Sequence, residues 1–115
     1  MSGLVIWDNP RCSKSRAALK LIEARGLTPT IRRYLDDPPT LDELRAAQSA
    51  LGLPAIAMMR PGEAAFRELG LSKSDDDETL LRAMAEKPIL IERPILFAGG
   101  RARIGRPPER VLDIL

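Results

Sequence analysis

Segments typical of β-strands alternate along this chain with segments of helical periodicity, and this alternation most constrains the fold. Residues 4–7 form a short apolar run suited to a buried strand, and residues 8–10 end it as a turn. Apolar side chains at helical spacing predict a helix over residues 13–25, with Gly26 at its C-terminal cap. A second strand is predicted over residues 30–35. The chain therefore starts as strand, helix, strand.

The middle of the chain is predicted to be helical. Residues 40–43 have the spacing of a capping box and open a helix with a periodic apolar face. Short helices are predicted over residues 56–60 and 64–69. A further helix is predicted to open with a cap at Asp75 and to close before Pro88.

The C-terminal part has the pattern of a β-hairpin followed by a helix. Residues 95–97 and 101–104 are strand-like and flank the glycine pair at 99–100, which can adopt the positive φ of a two-residue turn. A final helix is predicted from Pro107. Its inner face is predicted to hold Val111, Ile114 and Leu115.

This element order is that of a thioredoxin-like α/β fold with a helical insertion. We predict one domain over residues 1–115, with the insertion at about residues 40–92 between the strand-helix-strand unit and the hairpin-helix unit. A chain of this length buries roughly two-thirds of its unfolded surface in a single core. In this fold Pro94 would lie beside Cys12, and we predict a cis peptide bond before Pro94.

The composition excludes several classes of function. The absence of histidine excludes His-ligated metal sites and Cys-His or Ser-His catalytic pairs, so no metal site is expected. A single cysteine cannot form an intramolecular disulfide. No apolar run approaches the roughly 20 residues that span a bilayer, and the amino terminus lacks the pattern of a signal peptide. A cytoplasmic protein with no membrane partner is expected.

Charge and aromatic content also disfavour a nucleic-acid partner. The net charge is only +2, four residues are aromatic, and cationic residues are interspersed with acidic ones. Arg101 and Arg103 share a face of the last predicted strand, which we expect to be the solvent face of an edge strand.

Cys12 is placed to react, because it lies between the first predicted strand and the first predicted helix. The helix dipole and the free N–H groups of the first turn favour its thiolate. The flanking cations Arg11, Lys14 and Arg16 act in the same direction. These features also favour binding an anion. A lone cysteine is otherwise often a small buried hydrophobe, but this basic, helix-opening context favours a nucleophile.

Three short motifs occur in order along the chain: Asn-Pro-Arg-Cys at residues 9–12, Ile-Glu-Arg-Pro-Ile at 91–95 and Ile-Gly-Arg-Pro at 104–107. Together with Arg60, and with Tyr-Leu at residues 34–35 before a Pro-rich turn, they resemble the glutaredoxin-linked arsenate reductases of the ArsC type. The resemblance covers essentially the whole chain and is to a short member of that family.

The resemblance implies an oxidoreductase that converts arsenate to arsenite. In that family a cysteine attacks arsenate and three arginines hold the oxyanion. The matching nucleophile is Cys12, and the matching arginines are Arg60, Arg93 and Arg106. Pro94 and Ser15 would support the site, although Ser15 is also placed to cap the helix.

The family mechanism also implies an external reductant. Glutathione reacts as a co-substrate with the cysteine-arsenate adduct, and glutaredoxin reduces the resulting mixed disulfide. No bound cofactor is implied. A chain with one cysteine needs such an external thiol.

One departure and two alternatives accompany this interpretation. Asp8 stands where the family often has histidine, and its charge would oppose thiolate formation if it pointed inward. A transcriptional regulator of the Spx type, which contacts RNA polymerase, shares the fold, but it typically carries Cys-x-x-Cys, whereas Ser15 occupies the second position here. A thiol oxidoreductase acting on another small oxyanion is the second alternative, because an arginine-lined thiolate does not by itself select arsenic.

Overall fold

The computed structural model describes residues 3–115, whose strands form one four-stranded sheet. The strands are β1 (Val5–Asp8), β2 (Thr30–Arg33), β3 (Ile95–Ala98) and β4 (Arg101–Ile104). Their order across the sheet is β2-β1-β3-β4, with β1 parallel to β2 and antiparallel to β3, and with β3 antiparallel to β4.

Helix α1 (Ser13–Ala24) and a C-terminal 3-10 helix (Pro108–Ile114) pack on one face of this sheet. Helix α1 begins directly after the turn that follows β1, and its C-terminal end leads to β2 through Gly26, which has a φ of 75°. The core between these layers consists of Ile6, Ala18, Ile22, Leu96, Val111 and Ile114. The element order and strand order confirm the predicted thioredoxin-like α/β fold.

The chain divides into two compact units, one formed by the segment up to Asp37 together with Arg93–Leu115, and the other by Pro38–Glu92. The sheet lies in the first unit. The second contains α2 (Leu41–Leu51), α3 (Ala64–Glu68), α4 (Asp77–Glu86) and two short 3-10 helices, Ala55–Met58 and Pro88–Leu90. Within residues 3–115, no helix is long and apolar enough to cross a membrane.

The predicted helix starts in the second unit are confirmed at α2 and displaced by one residue at α4. Thr40 and Glu43 form the reciprocal hydrogen bonds of a capping box at α2. At α4 the N-terminal cap is Asp76, which accepts from the Thr79 N–H at 2.8 Å, and not Asp75. The Asp75 carboxylate instead accepts from the Ser72 N–H in the preceding turn, so it is already engaged.

The final helix that was predicted from Pro107 is a 3-10 helix over Pro108–Ile114. Val111 and Ile114 are buried in the core as predicted. The prediction for Leu115 is wrong, because this residue follows the last turn of the helix and is 37% exposed.

The hairpin is confirmed, but the arginines of β4 do not lie on a solvent face. Cross-strand pairing places Arg103 opposite the core residue Leu96, so Arg101 and Arg103 share the face that the helices cover. Their long side chains reach the edge of that face. Arg101 Nη2 donates to the Ile114 carbonyl at 3.4 Å, and Arg103 Nε lies 3.7 Å from the Asp113 carboxylate. The solvent-face prediction failed because the sheet register decides which face is covered.

Candidate functional site

Cys12 is the N-terminal capping residue of α1 and is 8% exposed. Its backbone N–H donates to the Asn9 carbonyl at 2.9 Å, which closes the turn after β1. Its carbonyl accepts from the Arg16 N–H at 3.1 Å, which begins the helix. The thiol therefore lies at the positive end of the α1 dipole, beside N–H groups that have no partner within the helix.

Asn9 organises the turn that carries Cys12, a role that the sequence analysis missed. The Asn9 side-chain carbonyl accepts from the Arg11 N–H at 3.0 Å, and the Asn9 N–H donates to Ser15 Oγ at 3.3 Å. Ser15 is fully buried in the first turn of α1, so this bond ties the turn to the helix. The sequence signal was present, because an asparagine before proline commonly bonds the backbone two residues ahead.

The guanidinium of Arg106 contacts the Cys12 thiol. Its Nη2 lies 3.8 Å from Cys12 Sγ, although the two residues are 94 positions apart in sequence. Its Nε donates to the Arg93 carbonyl at 3.0 Å, which links the segment before β3 to the segment after β4. A guanidinium held at this distance stabilises a thiolate or an oxyanion bonded to it.

Pro94 and Gly105 lie where these two segments meet. The Arg93–Pro94 peptide bond is cis, as predicted, and so is Arg106–Pro107. The Gly105 N–H donates to the Pro94 carbonyl at 2.9 Å. A Cβ at Gly105 would lie 2.8 Å from Pro94 Cγ and 3.0 Å from Val111 Cγ1, so only glycine fits there without displacing its neighbours.

Gly105→Ala is therefore expected to destabilise the protein by about 1–3 kcal/mol, because the added methyl group overpacks Pro94 and Val111. It should also slow modification of Cys12, since Arg106 follows directly. The urea midpoint and the rate of reaction of Cys12 with a neutral disulfide measure the two effects. Gly62→Ala is the matched control, because a Cβ at Gly62 meets nothing within 4 Å. Equal midpoints for the two variants would contradict the prediction.

Asp8 lies at the end of β1, directly before the turn, and is 5% exposed. Burial raises the pKa of its carboxyl group above the ordinary range, and the charge of Arg33 acts in the opposite direction. Arg33 is the β2 residue paired with Asp8 in the sheet register. The carboxyl group that was expected to oppose thiolate formation is thus buried, with a cation beside it that partly balances its charge.

Arg60 belongs to the Pro38–Glu92 unit, where two carboxylates bind its guanidinium. Arg60 Nη1 lies 2.7 Å from the Glu63 carboxylate, and Nε lies 3.8 Å from the Glu92 carboxylate. The Arg60 N–H donates to the Leu90 carbonyl at 2.7 Å. Its assignment to the oxyanion site stays a prediction.

Residues 7–114 match the sequence model of the ArsC family. The chain belongs to the ArsC family. This assignment confirms the resemblance that the three sequence motifs indicated, and it covers both of the segments that carry Cys12 and Arg106.

Individual relatives match the chain over nearly its whole length. An arsenate reductase of Neisseria meningitidis serogroup A is 48% identical over 117 residues, with 100% of both chains covered. The uncharacterized protein YfgD of Escherichia coli K12 is 46% identical over 112 residues, which cover 96% of this chain and 94% of YfgD. The solved structure of an arsenate reductase from Vibrio cholerae matches with a TM-score of 0.93 at 48% identity and covers 97% of each chain.

Proposed function

We propose that this ArsC-family protein is a cytoplasmic arsenate reductase in which Cys12 is the nucleophile. The observation that carries the proposal is the Arg106 guanidinium 3.8 Å from the thiol at the start of α1. A thiolate and an oxyanion repel each other, so a site that joins them needs fixed cations and N–H donors. The names of the relatives from Neisseria meningitidis and Vibrio cholerae support arsenate as the oxyanion.

In the first proposed step, the Cys12 thiolate attacks arsenic. A sulfur–arsenic bond forms, and one arsenate oxygen leaves as hydroxide, which takes up a proton to become water. Negative charge grows on the arsenate oxygens and on the leaving oxygen as this bond breaks. The residues proposed to neutralise that charge are Arg60, Arg93 and Arg106.

In the second proposed step, glutathione attacks the Cys12 sulfur. A disulfide bond forms, the sulfur–arsenic bond breaks, and its electron pair stays on arsenic, which passes from As(V) to As(III). The two sulfurs lose the two electrons that arsenic gains, and the thiol proton passes to an arsenite oxygen. Glutaredoxin then reduces the mixed disulfide. This scheme needs an external thiol because Cys12 is the only cysteine of the sequence.

A coupled assay tests the proposal. The protein is combined with glutathione, glutaredoxin, glutathione reductase and NADPH, and NADPH oxidation is followed with arsenate or with phosphate, an oxyanion of the same shape that is not reduced. We expect arsenate-dependent oxidation that requires both glutathione and glutaredoxin. Turnover with thioredoxin alone would overturn the glutaredoxin assignment and keep the reductase. No arsenate-dependent turnover with either reductant, in protein whose Cys12 still reacts with iodoacetamide, would overturn arsenate as the substrate.

A further inference from the structure

Two exposed arginines flank Cys12 without a carboxylate partner. Arg11 lies in the turn before the thiol and Arg16 in the second turn of α1, and within residues 3–115 neither forms an ion pair. Residues 9–22 contain no acidic side chain. Some exposed arginines elsewhere pair with carboxylates, as Arg45, Arg82 and Arg110 do, whereas Arg25 and Arg67 form no ion pair within residues 3–115. The positive charge beside the thiol is therefore left available to a ligand.

Arg16 is held on the side of α1 that carries Cys12. The two residues are four positions apart, which places them on one face of the helix, whereas Lys14 lies about 200° around the helix axis from Cys12. Arg16 Nη1 donates to the Pro10 carbonyl at 2.9 Å, so the guanidinium lies over the turn. This bond uses one of the five N–H donors of an arginine, and the others can bind a second acceptor.

The thiol that resolves a Cys12 adduct has to bring its sulfur to a cysteine that is only 8% exposed. Its remaining atoms stay outside the site, where the exposed residues next to Cys12 in the turn and in α1 include Arg11 and Arg16. A guanidinium binds a carboxylate through two parallel charge-assisted hydrogen bonds, whereas a thiol without a carboxylate offers it only weaker, uncharged acceptors. A small thiol with carboxylate groups therefore fits this surface better than a thiol without them.

We infer that Arg11 and Arg16 form a cationic rim that recognises the carboxylates of the small thiol attacking Cys12. The inference rests on the proposed function and deepens it, because it assigns the residues that select the resolving thiol. In the step that the rim serves, the thiol sulfur bonds to Cys12 Sγ while the sulfur–arsenic bond breaks and its electron pair stays on arsenic. The thiol proton passes to an arsenite oxygen.

The rim can be tested without arsenate. Cys12 is converted to its mixed disulfide with 2-thiopyridine, a neutral leaving group, and release of 2-thiopyridone is followed after a thiol is added. Glutathione, its diethyl ester and 2-mercaptoethanol are compared at equal thiolate concentration. We expect glutathione to react about fivefold faster than its diethyl ester at low ionic strength, and we expect the ratio to fall at high salt. A ratio of one at both salt concentrations would overturn the inference.

Substitutions of the two arginines test whether the rim causes the preference for glutathione over its diethyl ester. Arg16→Gln and Arg11→Gln should each slow the reaction with glutathione by about threefold, and the double variant should remove the preference over the diethyl ester. The rate with 2-mercaptoethanol should stay within about twofold of the native rate in all of them. Arg25→Gln is the matched control, because it removes the same charge at the other end of α1, roughly 20 Å from Cys12 along the helix axis.

Two results would contradict the rim: a glutathione preference that survives in the double variant, or an equal loss in Arg25→Gln. The arsenate assay separates this inference from the proposed function. Absence of arsenate turnover with an intact glutathione preference would overturn the reductase and support the rim as a thiol-binding surface. Single-turnover arsenite formation, measured without the coupling enzymes, that proceeds equally well with all three thiols would overturn the rim and support the reductase.

Discussion

Cys12→Ser is expected to abolish arsenate reduction, with a loss of about 10⁴-fold or more in turnover. Serine oxygen is essentially un-ionised at neutral pH, and it cannot form the disulfide through which arsenic receives its two electrons. Both proposed chemical steps therefore fail in the variant. The coupled NADPH assay measures the loss, and intact-protein mass measures the intermediate when glutaredoxin is omitted. The native protein should gain one glutathione in an arsenate-dependent manner, and the variant should gain none.

The fold of Cys12→Ser should be unchanged, which makes the comparison clean. Cys12 caps α1 through its backbone, with its N–H bonded to Asn9 and its carbonyl bonded to the Arg16 N–H, and both bonds survive the substitution. The urea midpoint of the variant should therefore match that of the native protein. Arsenate-dependent turnover retained in a pure sample of this variant would show that another group is the nucleophile.

The sequence predicted the elements whose signals are local. The capping box of Thr40 and Glu43 needs only four consecutive residues, and the glycines at 99 and 100 supply the positive φ that the hairpin turn requires. The start of α4 was misplaced by one residue because neighbouring aspartates compete for the cap. Local sequence patterns therefore predict the existence of a helix or strand more reliably than its first residue.

The sequence did not predict features that depend on contacts between distant segments. The face occupied by Arg103 follows from its pairing with Leu96, and the need for glycine at 105 follows from the closeness of Pro94. Neither partner is visible in the local pattern. Cys12 and Arg106 were singled out through motifs that lie far apart, and the contact between their side chains required the folded sheet and the start of α1.

Arg106→Gln is expected to lower kcat/KM for arsenate by about 10²–10³-fold, the cost of removing one fixed donor that stabilises developing negative charge. Glutamine keeps a hydrogen-bond donor but removes the positive charge that lies 3.8 Å from Cys12 Sγ. The bond from Arg106 Nε to the Arg93 carbonyl is lost as well. Arg106→Lys keeps the charge without the planar fork, so its activity should lie between that of the glutamine variant and that of the native protein.

Arg110→Gln provides the matched control for this charge removal. Arg110 is an exposed arginine four positions further along the chain, and its Nε lies 3.1 Å from the Asp113 carboxylate, so its loss should change kcat/KM by no more than about twofold. Steady-state kinetics with arsenate and the rate of Cys12 reaction with 2,2′-dithiodipyridine should both fall in Arg106→Gln and stay near native in Arg110→Gln. If the two variants behave alike, the thiol does not depend on Arg106, and the arginine that activates it has to be sought among Arg60 and Arg93.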